Sequence, residues 1–145
     1  MGENLAPQEN RRRHVLENIH RENKQPCIVM GILNVTPDSF HSESRRTELE
    51  DCIKRGLEIW DYGANWLDIG GESTRPGAEP VDVKEELKRV IPVIKSLKQV
   101  KPEGLISIDT RRAKVAREAI NAGADMVNDV SGLNYDYKTK KRKLI

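Results

Sequence analysis

Short apolar runs and longer stretches with helical spacing alternate along this chain. The runs have the length of strands and predict strands over residues 27–33, 65–69, 105–109 and 126–129. Between them, apolar side chains recur every three or four positions and predict a helix from Thr47 to Gly63, one from Asp82, and one over 110–122. The alternation predicts an α/β fold of parallel βα units with about four strands.

Local signals refine these elements. The first run is continuously apolar, which predicts a strand covered on both faces. The spacing Thr47-x-x-Glu50 has the form of a capping box and predicts a helix N-terminus. Pro92 has no N–H to donate and predicts a kink or a restart of the second helix. The segments GANWLDI and GADMVND resemble each other, which supports repeated βα units.

The two ends of the chain differ from its middle. We expect a leader with a short charged helix over 1–24, a folded domain over 25–133, and a basic tail over 134–145. A net charge of +2 is too small to indicate nucleic-acid binding. The tail segment KTKKRK is typical of a solvated tail, with a nuclear or nucleic-acid patch as the alternative. No apolar run approaches the roughly 18 residues of a membrane span, and no signal-peptide core is present, so we expect a cytoplasmic protein.

The two cysteines, Cys27 and Cys52, fall in a predicted strand and a predicted helix. We interpret both as small buried apolar residues in a reducing compartment. The pattern does not favour a disulfide or a metal pair.

A carboxylate or an amide follows each predicted strand. In parallel α/β folds, ligands bind at the carboxyl ends of the strands. Taken singly, each such residue is more typical of a helix cap or a turn than of a binding site, and Asp109 or Thr110 in particular is a good N-cap. Their recurrence after four strands favours a binding edge, formed by Asn34, Asp68 with Glu72, Asp109, and Asn128 with Asp129.

The loop over 70–80, GGESTRPGAEP, follows the second strand. Its glycines allow close approach of the backbone to a ligand, and Ser73, Thr74 and Arg75 offer donors to an anion. A solvated loop is the alternative. The loop does not match a nucleotide-binding fingerprint. Together with the polar segment after Asn34, it suggests a phosphate-bearing substrate and a divalent cation.

Four motifs carry a resemblance to a known family. MGILNVTPDSF (30–40), DIGGESTRPGA (68–78), SIDT (107–110) and NDVSG (128–132) resemble dihydropteroate synthase of the folate pathway. The resemblance implies the N-terminal half of a (β/α)8 TIM barrel. It implies an enzyme that joins p-aminobenzoate to 6-hydroxymethyl-7,8-dihydropterin pyrophosphate and releases pyrophosphate, through breakage of the C–O bond before attack by the amine.

The resemblance also implies roles for single residues. Asn34 is expected to ligate Mg²⁺ and, with Asp38 and Arg75, to take part in catalysis. Asp109 and Asn128 are expected to bind the pterin, because a carboxylate accepts from ring and amino N–H groups while an amide both donates and accepts. The remaining substrate-binding residues are expected in the two loops, at Phe40, Thr74, Arg75 and Pro76.

Two features depart from the family pattern. The family's glycines after Phe40 are replaced by residues 41–46, HSESRR, and the later Asp, Lys and Arg-x-His of the family have no counterpart here. We therefore expect self-association, or a second chain that completes the barrel, and no turnover by this chain alone. A methyltetrahydrofolate-type pterin-binding domain and a non-catalytic pterin-binding or assembly protein are the alternatives.

Overall fold

The computed structural model describes residues 27–35, 45–72, 81–132 and 134. The predicted leader and all but one residue of the predicted tail lie outside these ranges. Strands and helices alternate through the described part of the chain. They are β1 (Met30–Asn34), α1 (Arg45–Asp61), β2 (Trp66–Gly70), α2 (Val83–Val100), β3 (Leu105–Asp109), α3 (Ala113–Asn121) and β4 (Met126–Asn128).

The four strands form one parallel sheet in the order β1-β2-β3-β4. Parallel neighbours joined by right-handed helical crossovers place successive helices on the same face of the sheet. This arrangement confirms the predicted parallel βα units with four strands.

One face of the sheet packs against the helices. Its rows follow from the register, with Leu33 beside Ile69, then Ile108, then Val127. Leu67 and Ile106 lie on the same face, and both are fully buried. Helix α2 contributes the buried stripe of Val90, Val93, Ile94 and Leu97 to this core.

The other face carries none of the described helices, and it leaves part of β1 exposed. Met30 is 37% exposed and Ile32 is 65% exposed. The prediction that β1 is covered on both faces is therefore wrong. The sequence of an apolar strand does not reveal what covers its second face. The run is equally apolar whether this chain or another partner supplies the cover.

Several boundaries differ from the prediction. Helix α1 begins at Arg45 and already includes Thr47, so Thr47 is not its N-cap. Helix α2 begins as predicted, since the side chain of Asp82 accepts from the Glu85 N–H at 2.9 Å. Gly63 and Gly123 end their helices at positive φ, 99° and 115°, a conformation that favours glycine.

Helix α2 continues without interruption through Pro92, so the predicted restart is wrong. Pro92 removes the hydrogen bond that the Lys88 carbonyl would accept. Both residues lie on the exposed side of the helix, where water can satisfy that carbonyl.

The cysteine prediction is correct for Cys52 and wrong for Cys27, which is exposed just before β1. Both are free thiols. Burial and the nearby carboxylates of Asp51 and Glu48 raise the pKa of the Cys52 thiol to about 11, so it is protonated and unreactive near neutral pH. In the part of the chain that the structure describes, no helix is long and apolar enough to cross a membrane.

Candidate functional site

The carboxyl ends of the four strands form one row of residues across the sheet. The register pairs Asn34 with Gly70, Gly70 with Asp109, and Asp109 with Asn128. Backbone hydrogen bonds from Val35 N–H to Gly70 O (2.8 Å) and from Thr110 N–H to Asn128 O (3.0 Å) extend the sheet beyond this row. The structure therefore brings together three of the predicted site residues, one from each of three strands.

Gly70 leaves room between two of these side chains. A Cβ atom built on Gly70 would lie 3.8 Å from Asn34 Oδ1 and 3.7 Å from Asp109 Oδ2. The amide oxygen of Asn34 and the carboxylate oxygen of Asp109 thus flank the Gly70 position from the two neighbouring strands. Because glycine has no side chain, the space between them stays open to a ligand.

Asp68 orients the amide of Asn128. The Asn128 Nδ2 group donates to Asp68 Oδ2 at 2.9 Å. Because the amide nitrogen is the donor in this contact, Nδ2 is turned toward Asp68 and Oδ1 of Asn128 lies on the other side. Asp68 is 6% exposed, and its second oxygen, Oδ1, is buried without a hydrogen-bond partner among the described residues.

Asp109 has an unfavourable environment for its negative charge. Burial raises the pKa of its carboxyl group above the ordinary value, and the charges of Asp68, Glu86, Asp129 and Glu72 raise it further. A ligand that donates to Asp109 would favour the ionised form and offset this cost.

The structure distinguishes the residues at this edge that bind a helix end or a turn from those that do not. Helix α3 begins at Ala113, with Arg112 at the N-cap position and no side-chain cap, so neither Asp109 nor Thr110 caps it. The prediction that this helix starts at Thr110 is wrong. Asp129, in contrast, has the structural role of a turn former, since its Oδ1 accepts from both the N–H and the hydroxyl of Ser131.

A buried ion cluster lies beside the row, and the sequence analysis did not find it. Arg112 donates through Nη1 to Glu72 Oε2 at 2.7 Å and to Glu86 Oε2, and through Nη2 to the Val81 carbonyl at 2.6 Å. Thr110 Oγ1 donates to Glu86 Oε1 at 2.7 Å. A signal was present, because Glu86 occupies the buried stripe of α2, where the other buried residues are apolar.

The cluster sets the charges of its members. Burial alone would raise the pKa of Glu72, but hydrogen bonds from Arg112, Val81 N–H and Arg111 outweigh it and hold the pKa below its usual value. Burial disfavours the Arg112 guanidinium, and the carboxylates of Glu72 and Glu86 more than compensate, raising its pKa. Glu72 and Arg112 are therefore both ionised at neutral pH.

The described residues do not form a metal site by themselves. Within ranges 27–35, 45–72 and 81–132, no group of three or more His, Cys, Asp or Glu side chains could hold a metal ion. The oxygens available at the row, those of Asn34 and Asp109 beside Gly70, are hard donors of the kind Mg²⁺ prefers. Mg²⁺ commonly keeps water ligands and binds through one or two protein oxygens and substrate phosphates, and this donor set fits that mode.

The other predicted site residues lie outside the described ranges. They are Asp38 and Phe40 in the first loop, and Thr74, Arg75 and Pro76 in the second. The described residues on either side of the second loop, Glu72 and Val81, are tied together, since Val81 N–H donates to Glu72 Oε1 at 3.2 Å.

Comparisons with known proteins show which family this chain is similar to. A family model described as pterin binding enzyme matches residues 30–142. A dihydropteroate synthase of Synechocystis sp. is 54% identical over 108 residues, which are 74% of this chain and 37% of that protein. The dihydropteroate synthase of Bacillus subtilis is 50% identical over 116 residues, 79% of this chain and 40% of that protein.

A similar solved structure confirms the predicted fold class, which is part of a TIM barrel. The dihydropteroate synthase of Xanthomonas albilineans, determined with 4-aminobenzoic acid, matches with a TM-score of 0.70 and 51% identity, over 74% of this chain and 40% of that one. The chain thus spans about two fifths of the length of these similar proteins.

Proposed function

This chain belongs to the pterin-binding enzyme family, and we propose that it forms the pterin-binding part of a dihydropteroate synthase. The substrates in this proposal are 6-hydroxymethyl-7,8-dihydropterin pyrophosphate and p-aminobenzoate, and the products are dihydropteroate and pyrophosphate. The proposal is supported by the dihydropteroate synthases of Synechocystis sp. and Bacillus subtilis, which are 54% and 50% identical to this chain over the matched residues.

The observation that carries the proposal is the row Asn34, Gly70, Asp109 and Asn128. It combines a carboxylate, an oriented amide and an open position between polar side chains at the carboxyl edge of a parallel sheet. A pterin ring presents adjacent N–H donors and ring acceptors along one edge. A carboxylate that accepts and an amide with its oxygen turned away from Asp68 complement such an edge.

In this proposal the described residues hold the pterin while its exocyclic C–O bond breaks and the amine attacks. Asp109 accepts from the ring and amino N–H groups, and these bonds stabilise its otherwise disfavoured charge. Asn128 offers its oxygen in a fixed direction, which limits the orientations of the ring. Asn34 lies at the far end of the same row, where the departing pyrophosphate would be bound.

Mg²⁺ is part of the proposal, with Asn34 Oδ1 as its protein ligand. When bound, the ion would neutralise charge on the pyrophosphate as it leaves. Asp38 and Arg75 are proposed to act in catalysis, and Phe40, Thr74, Arg75 and Pro76 to contact the substrates, on the basis of the motifs that contain them.

The proposal also includes a partner for the exposed face. The chain matches about two fifths of its relatives, and the face that includes Met30 and Ile32 lacks a described cover. We expect either self-association or a second segment or chain that completes the barrel and supplies further site residues. A cytoplasmic location fits the two free thiols.

Titration with two pterin ligands tests the proposal. If Asn34 ligates Mg²⁺ together with pyrophosphate, Mg²⁺ should tighten binding of the pterin pyrophosphate and leave binding of the pterin alcohol unchanged. The Asn34→Ala variant should lose the Mg²⁺ effect and retain the alcohol affinity. Equal enhancement of both ligands by Mg²⁺, or of neither, would contradict the role of Asn34.

A further inference from the structure

We propose that Asp68 is a positioning residue that fixes the direction of the Asn128 amide and so determines which heterocycle the row accepts. The selected feature is an exocyclic amine beside a ring N–H, in preference to a carbonyl at the same place. The pteridine class of the ligand rests on the proposed function, whereas the contact between Asp68 and Asn128 does not.

The backbone of Asn128 is held in place by β3. Its register partner is Asp109, and its carbonyl accepts from the Thr110 N–H at 3.0 Å. The side chain is less constrained, because the terminal torsion of asparagine is broad and roughly two-fold. Turning the amide over exchanges Oδ1 and Nδ2 with little change of shape. Neighbouring groups therefore decide which of these two atoms faces a ligand.

The hydrogen bond that settles this direction crosses β3. Nδ2 of Asn128, on β4, donates to Oδ2 of Asp68, on β2, at 2.9 Å. The two strands are not neighbours in the sheet, and strands two apart lie about 9.5 Å apart in a flat sheet. Both side chains therefore extend toward each other over β3. Ser107, the register partner of Asp68 on β3, has a small side chain on the same face, which leaves room for this contact.

A carboxyl group is a selective partner for the amide nitrogen. Asp68 has only oxygen atoms at the end of its side chain, whereas a second amide could present either an oxygen or an NH2 group. Asp68 is 6% exposed, while Asn128 is an exposed residue. Nδ2 is thus engaged on the protein side, and Oδ1 is the atom available to a ligand.

This direction gives the row two neighbouring acceptors, the carboxyl oxygens of Asp109 and Oδ1 of Asn128. They complement a ligand edge with two adjacent donors, such as a ring N–H and the exocyclic NH2 of a pterin. The 2-oxo analogue of a pterin has a carbonyl in place of that NH2, and so brings an acceptor against an acceptor. With the amide turned over, Nδ2 would instead donate to this carbonyl, and the discrimination would be lost.

Two substitutions at Asp68 separate the acceptor from its shape. Asp68→Leu removes the acceptor at similar size, and Asp68→Asn allows either orientation of Asn128. Both remove a buried carboxyl group whose Oδ1 has no hydrogen-bond partner among the described residues, so we expect both variants to fold. Ser107→Ala is the matched control, because it removes the neighbouring hydroxyl, which is fully buried and also lacks such a partner in the described part of the chain.

NMR of the Asn128 side-chain NH2 group tests the positioning without a ligand. In the wild type these protons should be protected from exchange with water by the bond to Asp68. In Asp68→Leu they should exchange several-fold faster, and in Ser107→Ala they should keep the wild-type rate. Unchanged exchange in folded Asp68→Leu, or the same acceleration in Ser107→Ala, would overturn the positioning role.

Titration with the pterin alcohol and its 2-oxo analogue tests the specificity. The wild type should prefer the pterin alcohol by roughly ten-fold or more. In Asp68→Leu the analogue should bind more tightly than in the wild type, because the released amide can donate to its carbonyl. The preference should fall several-fold in Asp68→Leu, take an intermediate value in Asp68→Asn, and stay at the wild-type value in Ser107→Ala. A general loss of structure would weaken both ligands and would not raise the affinity for the analogue.

Equal weakening of both ligands in folded Asp68 variants, or an unchanged preference, would overturn the specificity part of the inference. If the wild type binds neither ligand, the proposed function fails. The exchange of the Asn128 NH2 protons then still decides whether Asp68 positions the amide.

Discussion

At the residue scale, the position of Gly70 leaves an open space between the side chains of Asn34 and Asp109. The two oxygens approach the same backbone position from neighbouring strands. No side chain is needed there for packing, because Gly70 lies on the sheet face opposite the helices. In the proposed function, the absence of a side chain gives a ligand access to both oxygens.

We predict that Gly70→Ala leaves the fold intact and weakens ligand binding. The added methyl group would meet its nearest neighbours at 3.7 Å, an ordinary contact, but it would occupy the space between the two polar groups. Thermal unfolding and pterin titration check this prediction. Gly31→Ala is the contrasting variant, because its methyl group would clash with Ile59 Cγ2 at 2.1 Å and should lower the melting temperature.

A second prediction concerns the charge of Asp109. Its pKa is raised in the folded chain, so the chain is stabilised when Asp109 is protonated, and this contribution is lost as pH rises through the folded pKa. Asp109→Asn should therefore increase the free energy of unfolding at neutral pH and have little effect below the ordinary Asp pKa. Pterin affinity should fall in the same variant, by about 1.5–3 kcal/mol if one charged hydrogen-bond acceptor is lost.

Denaturant unfolding at several pH values, together with ligand titration, measures both effects. A variant that is less stable at neutral pH would contradict the electrostatic account. A variant that keeps wild-type pterin affinity would contradict the binding role of Asp109.

At the scale of secondary structure elements, the periodicity of apolar residues was sufficient to predict which segments are strands, which are helices, and in what order they follow. Strand β3 and the start of α2 were predicted to the residue, because an apolar run and an N-cap define them locally. The start of α3 was missed by three residues because Thr110 binds Glu86, a residue distant in sequence. Local capping rules do not include such tertiary contacts.

Pro92 gives a prediction at this scale. It lies exposed within α2 and leaves the Lys88 carbonyl without its helical donor. Pro costs about 3 kcal/mol relative to Ala in a helix interior, and its restriction of the unfolded chain offsets about 0.4–1 kcal/mol of that cost. Pro92→Ala should therefore stabilise the chain by about 2 kcal/mol, measured by denaturant unfolding. An equal or lower stability would show that the helix accommodates Pro92 without cost.

At the scale of the whole molecule, the sheet has one face packed with helices and one face that includes exposed Met30 and Ile32. The sequence predicted the parallel βα units and the polar strand ends, since both depend on local pattern. It did not reveal the cluster of Arg112, Glu72 and Glu86, whose members meet only after folding. The polar strand ends form one row in the folded chain, because parallel strands align their carboxyl ends at one edge.

In the proposed function, this chain supplies the pterin-binding part of a dihydropteroate synthase and requires further strands for turnover. A closed barrel packs its interior with side chains from all around the ring, whereas an open half leaves a reactive pterin exposed to water. The most direct measurement is incorporation of p-aminobenzoate with Mg²⁺, by the chain alone and with a chain that carries the remaining barrel. We predict no turnover alone, turnover in the combined sample, and loss of that turnover with Asp109→Ala. Turnover by a well-behaved monomer, or none from a folded combined sample, would contradict this account.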